Sequence, residues 1–577
     1  MLFYALLLCV SMVAFGQSKY YEKAIGWGNR TQSVGRAAFI SDTSMILACG
    51  SHATTTSPER VNMVFTDQYA ENRTVLTYGE GFGKFVGLDM TPTPFGYAIV
   101  GWMTDTITSN YGYPYLLELD QDGEVLQLHQ FDIGTYEGDA CKVLYYPKSN
   151  TYYIGGEVFN ALPSKRMLIK VSDGVVQWQQ YYPATQGRNI ILDLLPTPTG
   201  QGVYAAGYYK NDPDNNYGDP FLMEIDSSGT VLWDSVYVSS GQDACFKFTR
   251  TPAGGFLLGG PVRNTDYTIQ ARLLCTDSVG GVLWLKKYFQ NYQYSGIMKI
   301  YTAGNDFVFA GSVKINDDFE GYLMKVRGSD GYPLWTRFYE MGDFNDFFYH
   351  FTPAPDGGFV CVGRAEFADT VRAYVVRTNC MGLLTLPESA FSYQTLSDGN
   401  DVAFLNQSQY AYPDSIDGGY YVWDFGDGSP PSVCGQGYPP NISHSYPSAG
   451  QYNVRLWAIV CGDTSLSSVV VVPGSGGSGQ SVGLQPAVEA LPARLQVNPN
   501  PARDLLQLSL LGNLTPQTQA WWRLYDAAGR RVRQVCLSDA PRPEQSIAIG
   551  DLSEGAYFWT FQINDTTVQK GKTVVLR

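Results

Sequence analysis

Histidine is nearly absent. The 577 residues contain four, far apart at His52, His129, His350 and His444. That leaves little material for a His-rich metal site, and no H-E-x-x-H occurs. Core or surface roles are expected for all four, and no catalytic residue is assigned. Charge is scarce as well. Only 16% of residues are Asp, Glu, Lys or Arg, and bases are the scarcer half, 39 against 54 acids. The net charge of −15 argues against nucleic acid or an anionic membrane as the main partner. Long apolar runs are missing too. After Leu2 to Phe15 none approaches the ~20 residues that a membrane helix needs, so no transmembrane segment is expected.

That first run is itself too short to span a bilayer. It ends Ala14-Phe15-Gly16 before Gln17, and small residues at 14 and 16 fit a secretory cleavage site, so residues 1–16 are expected to be a signal peptide. Its positive end is only the α-amino group. A lipid anchor on Cys9 would want a small residue where Leu8 stands. Removing the leader takes one of the 10 cysteines; the odd remainder means at least one thiol is free or paired between chains.

What is abundant points to strands and turns. Aromatics make up 14% of the chain, with 61 Gly, 31 Pro and 41 Tyr. Hydrophobic residues reach 44%, enough for large cores, and the length calls for several domains.

Repetition fills the first two-thirds. Short apolar strands end in Gly50, Gly101, Gly155, Gly207, Gly259, Gly311 and Gly363, at spacings of 51, 54, 52, 52, 52 and 52. After each comes a variable polar loop and a second strand, such as Phe221-Leu-Met-Glu-Ile-Asp226. A tight Asp/Ser/Gly turn follows, then a strand carrying Trp178, Trp233, Trp284 or Trp335. A fourth strand leads into the next Gly strand. Four short strands per ~50 residues is the signature of a propeller blade. The seventh repeat ends without its Trp strand, and Lys19-Tyr-Tyr-Glu-Lys-Ala-Ile-Gly26 resembles the missing piece. It is expected to close the ring. Cys141 and Cys245 occupy equivalent repeat positions two blades apart and are expected to be buried and unpaired. The repeat is similar to those of secreted propellers from Bacteroidetes-type bacteria.

Around Leu386 the period stops. Trp423-Asp424-Phe425-Gly426-Asp427-Gly428 follows, then His444-Ser-Tyr446-Pro-Ser-Ala-Gly450-Gln-Tyr452-Asn-Val454. This pattern resembles the PKD domain, which implies an immunoglobulin-like β-sandwich. Asp424 and Asp427 flank a glycine turn and are expected to cap backbone N–H groups; a calcium cage is the less favoured reading. Eight acids against one Arg between 388 and 473 suit a solvated spacer. Cys434 and Cys461 lie in this module as a candidate disulfide.

Gly474-Ser-Gly-Gly-Ser-Gly-Gln-Ser-Val-Gly483 has the composition of a flexible tether. Within it Gly479-Gln-Ser481-Val-Gly483 matches a nucleophile elbow in letters only, since that motif needs a strand before it and a helix after. The remainder contains Pro499-Asn500-Pro501, then Leu524-Tyr-Asp526-Ala-Ala-Gly529, then Leu552-Ser-Glu-Gly555-Ala-Tyr557, and finally Lys570-Gly571-Lys572-Thr-Val. In that order these motifs resemble the type A C-terminal sorting domain of the type IX secretion system. The resemblance implies partnership with that machinery and passage across the outer membrane. Gly571-Lys572-Thr573 lacks the earlier Gly of a phosphate loop.

The expected fold is all-β. A seven-bladed β-propeller occupies 17–385 and a PKD-like sandwich 386–473. A Gly/Ser-rich linker at 474–493 leads to a second immunoglobulin-like sandwich, the sorting domain, at 494–577. No cofactor is expected. Calcium is the one ion considered, at Asp212, Asp214 and Asn216, whose alternation approaches a calcium loop but lacks its Gly and acid in register; a turn-rich blade loop is favoured there. The functional expectation is a secreted, surface-associated binding or adhesion protein for an extracellular glycan or protein. The alternative is a secreted hydrolase of polysaccharide or peptide. Deleting Leu495 to Arg577 is expected to trap the protein in the periplasm. Surface proteolysis and cell fractionation check this, and normal display of the truncated chain would refute the sorting assignment.

Overall fold

The computed structural model describes residues 19–26, 32–41, 44–52, 58–106, 112–160, 163–183, 187–209, 218–238, 242–264, 266–315, 317–341, 344–395, 400–410, 419–434, 441–473, 478–480, 482–484, 494–498, 505–511, 520–526, 530–537, 544–563 and 566–575. The leader, the Asp212/Asp214/Asn216 loop, Pro499, Asn500, Pro501 and Gly529 lie outside the described residues. Strands dominate, and the one helical element among the described residues is a single 3-10 turn at Pro147–Ser149. Contacts divide the chain into two units, 1–385 and 386–577.

The first unit is the expected propeller. Its seven innermost strands begin successive antiparallel blades: Gln32–Ile40, Phe85–Thr93, Glu137–Tyr146, Asn189–Pro196, the pair Gln242–Asp243 and Lys247–Arg250, Ser295–Ala303, and Asp346–Pro353. Each lies against the innermost strands of both neighbouring blades right around the ring. The seventh blade supplies only three strands of its own. Tyr21–Ile25 adds the fourth, antiparallel, in register from Tyr21 opposite Arg377 to Ile25 opposite Ala373. The ring therefore closes as the sequence predicts, and no bare edge remains along Val371–Thr378.

Two repeated devices tie the blades together. In blades one, two, four and five the turn between third and fourth strands is built by an Asp whose carboxylate accepts two backbone N–H groups. Asp226 accepts from Ser228 at 2.8 Å and Thr230 at 2.9 Å, and Asp277 from Val279 at 3.0 Å and Gly281 at 2.7 Å. In blades four and five the fourth residue of that turn is a glycine at positive φ, +89° at Gly229 and +88° at Gly280, where a side chain would be strained. The same glycine's carbonyl accepts the hydroxyl of a tyrosine four residues after the Trp position of the preceding blade. Tyr182 bonds Gly229, Tyr237 bonds Gly280, Tyr288 bonds Gly331 and Tyr339 bonds Gly382, at 2.7 to 3.1 Å. Tyr78 does the same to Gly123 at 2.6 Å. Apolar Phe131 and Ile25, both buried, stand at the two remaining junctions.

Each innermost strand also carries one extra residue at the same step. The register slips between Gly35 and Ala37, Gly87 and Asp89, Ala140 and Lys142, Ile191 and Asp193, Ile297 and Lys299, and Phe348 and His350. In blade five the strand breaks at Phe246 instead. Such bulges bend a strand and re-aim a side chain. In blades two to seven a glycine on the second strand faces the bulge, because a Cβ there would overlap a carbonyl oxygen of the first strand; in blade one Cys49 stands opposite Gly35 instead, and Gly50 lies one residue beyond it. Gly101, Gly207, Gly311 and Gly363 fill this role as the repeat implied. In blades three and five it falls to Gly156 and Gly260, one residue beyond the glycines that the spacing selected. The same slip corrects the equivalence of Cys141 and Cys245. Cys141 is the extra residue of its bulge, whereas Cys245 precedes Phe246, which holds that place in blade five.

The second unit contains two sandwiches. In the first, Ile442–Ser445, Asp401–Asn406, Phe391–Thr395 and Ser478–Gln480 form one sheet. Ser432–Cys434, Tyr420–Asp424, Tyr452–Val460, Asp463–Val471 and Val482–Leu484 form the other. The stretch expected as a tether is thus partly structured. Ser478–Gln480 pairs with Ser392–Gln394, and Val482–Leu484 with Leu466–Ser468. The absence of a side chain at Gly479 leaves room for the Tyr393 ring, so the glycines that signal flexibility instead permit close pairing. In the second sandwich, sheets of three and four strands enclose Leu506, Leu508, Trp522, Leu524, Trp559 and Phe561.

Gly311→Ala is expected to destabilise the propeller by about 1–3 kcal/mol through overpacking against a carbonyl. Gly296→Ala, whose Cβ would meet nothing nearer than Tyr294 Oη at 3.6 Å, should stay within about 0.5 kcal/mol. Urea denaturation followed by tryptophan fluorescence distinguishes the two.

Candidate functional site

The bulges build the site. Their extra residues are Arg36, Leu88, Cys141, Leu192, Met298 and Tyr349, with Phe246 in blade five. These seven, one from each blade, line a cavity of about 280 Å³ together with Asp89, Lys247 and His350. Its wall is largely apolar. Arg36 lies against the neighbouring blade, with the guanidinium carbon 5.3 Å from the Tyr349 ring centre.

The residue following each bulge forms a second row: Ala37, Asp89, Lys142, Asp193, Lys247, Lys299 and His350. From blade two to blade five the charges alternate. Lys142 Nζ lies 3.0 Å from Asp89 and 3.6 Å from Asp193, and Lys247 Nζ lies 3.9 Å from Asp193. Both carboxylates also accept a backbone N–H from the next blade, Asp89 from Val143 and Asp193 from Phe248, each at 3.1 Å. Lys247 Nζ donates to the Leu192 carbonyl at 3.0 Å. Burial alone would raise Asp89; the surrounding lysines, Lys142 foremost, outweigh it and hold the carboxyl below its ordinary value. Lys142 is raised, since its two carboxylates overcome the burial that would lower it.

In blade six the alternation fails. No hydrogen bond or ion pair reaches Lys299 among the described residues, and burial followed by repulsion from Lys142 pushes it down to about 8. Beside it His350 is held well below its ordinary value, first by burial and then by Lys299, Lys142 and Lys247. His350 Nδ1 and Arg36 Nε are buried without a partner. The second row thus holds three lysines and two carboxylates.

A second perturbed group is an acid pair on adjacent strands of blade three, Asp139 opposite Glu157. Arg188 Nε donates to Glu157 Oε1 at 2.7 Å. Burial first, then the Glu157 charge, pushes Asp139 up to about 7, with Arg188 opposing. Asp139 Oδ1 and Glu157 Oε2 lack partners. Neither residue lines the cavity.

The second unit's motifs serve its own framework. Trp423 is fully buried, with its ring 4.9 Å from Phe391. Asp424 accepts the Gly426 N–H at 2.9 Å and Asp427 the Ser429 N–H at 3.0 Å, with Gly426 and Gly428 at φ +73° and +83°. Asp427 also meets His444 Nε2 at 2.7 Å, and the His444 ring stacks on Phe425 at 4.0 Å. Burial would raise Asp427, but the bonds from Ser429 and His444 hold it down to about 2. Cys434 is a free buried thiol, so the candidate Cys434–Cys461 bridge is not formed. Cys434 pairs with Tyr421, which pairs with Ala458, and Cys461 follows that third strand. Two strand spacings of about 4.8 Å each already exceed the ~7 Å Cα limit of a disulfide. In the sorting segment, Tyr557 is buried and donates to the Ser553 carbonyl at 2.9 Å. Asp526 accepts the Arg530 N–H at 2.9 Å, and Gly555 opens its strand at φ +155°. Gly571 and Lys572 lie in the last strand, Thr566–Val575.

Sequence reasoning missed the channel rows, although their signal was present. Asp89, Lys142, Asp193, Lys247, Lys299 and His350 recur at 53, 51, 54, 52 and 51 residues, each a polar group inside an apolar strand. The described residues contain no cluster of His, Cys, Asp and Glu able to hold a metal ion. No described helix is long and apolar enough to cross a membrane.

Comparison with known proteins agrees with the domain motifs. Residues 390–467 match the PKD domain and residues 496–576 the secretion system C-terminal sorting domain. No curated protein matches the chain. Among solved structures, the quinohemoprotein alcohol dehydrogenase of Comamonas testosteroni is similar at 12% identity and TM-score 0.37, covering 62% of this chain and 75% of that one. Puromycin hydrolase is similar at 11% and 0.37, covering 65% and 58%. The β-propeller domain of the Trilobed protease from Pyrococcus furiosus is similar at 10% and 0.35, covering 61% and 96%. The chain is a seven-bladed β-propeller followed by a PKD domain and a type IX sorting domain, and it is secreted to the cell surface or the extracellular space.

Proposed function

We propose that the protein is a surface-associated binding or adhesion protein whose propeller is the ligand-binding scaffold, with a glycan or a protein as ligand. The observation that carries this reading is the cavity itself, to which every blade contributes at least one side chain. A concave, mostly apolar pocket with a few convergent polar groups is what small-molecule recognition requires. The PKD domain acts as an acidic spacer in this reading, and the sorting domain engages the type IX machinery. We place the signal peptide at 1–16, the propeller at 17–385, the PKD domain at 386–473 and the sorting domain at 494–577.

A hydrolase of polysaccharide or peptide is the second reading, and the Asp139–Glu157 pair is what favours it. A carboxyl held protonated near neutrality beside a second carboxyl is a general-acid arrangement. Its position within the blade, away from the cavity, favours a structural role instead.

The purified chain from Gln17 onward is expected to be retained on an array of glycans and matrix proteins without releasing products. Product release abolished by a single carboxylate substitution would sink the binding reading. The acid pair makes a separate prediction. A carboxyl raised to about 7 in the fold and near 3.9 when unfolded binds an extra proton in the native state between those values. Its contribution is therefore largest below about pH 4 and is lost as pH rises toward 7. Asp139→Asn should flatten that decline and raise the melting temperature at pH 8 relative to the parent. A thermal denaturation series from pH 4 to 8 measures it, and parallel curves for the two proteins would contradict it.

A further inference from the structure

The cavity has two unlike sides. Blades three to six contribute Cys141, Leu192, Phe246 and Met298, an apolar wall. Lys247 also stands there, but its Nζ is committed to the Leu192 carbonyl at 3.0 Å and to Asp193 at 3.9 Å. Blades seven, one and two are neighbours around the ring and contribute His350, Arg36 and Asp89. Arg36 and Asp89 also share a small void between blades one and two, beside Cys49. Each of these three side chains has hydrogen-bonding capacity that the protein does not use. Arg36 Nε and His350 Nδ1 are buried without a partner. Asp89 commits Oδ2 to Lys142 and to the Val143 N–H, and no hydrogen bond reaches its Oδ1 among the described residues. Polar atoms left unmade inside a protein cost stability unless something else satisfies them.

The chemistry of the three groups defines what does so. Arg36 only donates, and the open oxygen of the ionised Asp89 only accepts. His350, kept neutral by burial and by the nearby lysines, donates at one ring nitrogen and accepts at the other. An anion would face the Asp89 carboxylate, and a cation would face the Arg36 guanidinium. Neither full charge is matched. A hydroxyl donates and accepts at once, so adjacent hydroxyls on one ring meet a donor and an acceptor side by side. The C–H face of the same ring is apolar and fits the wall of Leu192, Phe246 and Met298. The volume of about 280 Å³ lies just below the ~300 Å³ at which pockets for drug-sized ligands begin. That is room for one ring and not for a chain of them.

We propose that the channel holds one uncharged sugar ring, the terminal residue of a glycan, with neighbouring hydroxyls on Arg36, Asp89 and His350 and its C–H face on the apolar wall. The proposal rests on the binding reading above and selects the glycan from its two ligand classes. Hydroxyl recognition then comes from blades seven, one and two, and the blades opposite supply shape.

The test is isothermal titration of the full chain with the methyl glycosides of glucose, galactose, mannose and N-acetylglucosamine. Glucuronate, glucosamine and cyclohexanol serve as comparisons. Saturable binding of at least one neutral glycoside is expected. It should change less than about twofold between low salt and about 0.5 M NaCl, because no ion pair to the ligand forms. Arg36→Met should weaken it at least about tenfold through the lost hydrogen bond. Met298→Trp, which places a larger side chain in the empty space, should abolish it. An unchanged melting temperature shows that Met298→Trp folds, and Arg36→Met carries the test where the bulkier variant does not. No saturable binding of any of the four glycosides overturns the proposal, as does binding equal in the parent and the folded variants. Tighter binding of glucuronate or glucosamine would put a charge where the proposal puts none, and overturns it. Cyclohexanol binding as tightly as the glycosides would leave the hydroxyls without a role, and also overturns it. Array retention that persists in Met298→Trp, with no glycoside bound by the parent, would remove the channel site and leave the binding reading standing. A parent retained nowhere on the array would remove that reading itself.

Discussion

Everything in the first unit depends on five residues. Tyr21–Ile25 pairs with the last strand of blade seven, and without it that blade would have three strands and an open edge. A propeller whose ring is not closed has no fixed channel, because the innermost strands are held only by their neighbours on both sides. Closure brings residues more than three hundred positions apart into one sheet, and the Tyr374 hydroxyl donates to Glu22 across that seam. The tyrosine-to-glycine bonds at five blade junctions then fix the rotation between blades.

Given a closed ring, the bulge decides what the channel contains. One additional residue at the same step of each innermost strand moves side chains that would pack between blades toward the axis. The cost is steric, and it explains why the facing strand carries glycine in blades two to seven. The benefit is a set of seven positions whose chemistry can vary without disturbing the blades. Blades two to five use that freedom to neutralise charge internally. Blades six and seven carry Lys299 and His350 at the same positions instead.

The fold was legible because it rests on local, repeated signals. A period near 52 residues, strands ending in glycine and Asp-x-x-Gly turns are each set by backbone geometry, and geometry leaves the same mark in every blade. The closing strand was legible because it resembles the outer strand it replaces. The PKD and sorting motifs were legible for the same reason. Three things were not. Glycine doublets hide which member faces the bulge, so Gly155 and Gly259 stood in for Gly156 and Gly260. A run of Gly and Ser signals flexibility, yet Ser478–Gln480 lies in a sheet, since small residues also permit close pairing. A shared module placed Cys434 and Cys461 together, and the intervening strand separates them. The channel rows escaped because attention to strand ends passes over a charge in a strand's middle, which is where a bulge turns it inward.

The central claim is that Tyr21–Ile25 closes the ring and so fixes the channel. Hydrogen–deuterium exchange along Val371–Thr378, compared between the chain from Gln17 onward and one lacking residues 17–26, tests it most directly. The account predicts that protection along Val371–Thr378 is lost in the shortened chain and that its urea midpoint falls. Equal protection and an equal midpoint in the two would contradict it.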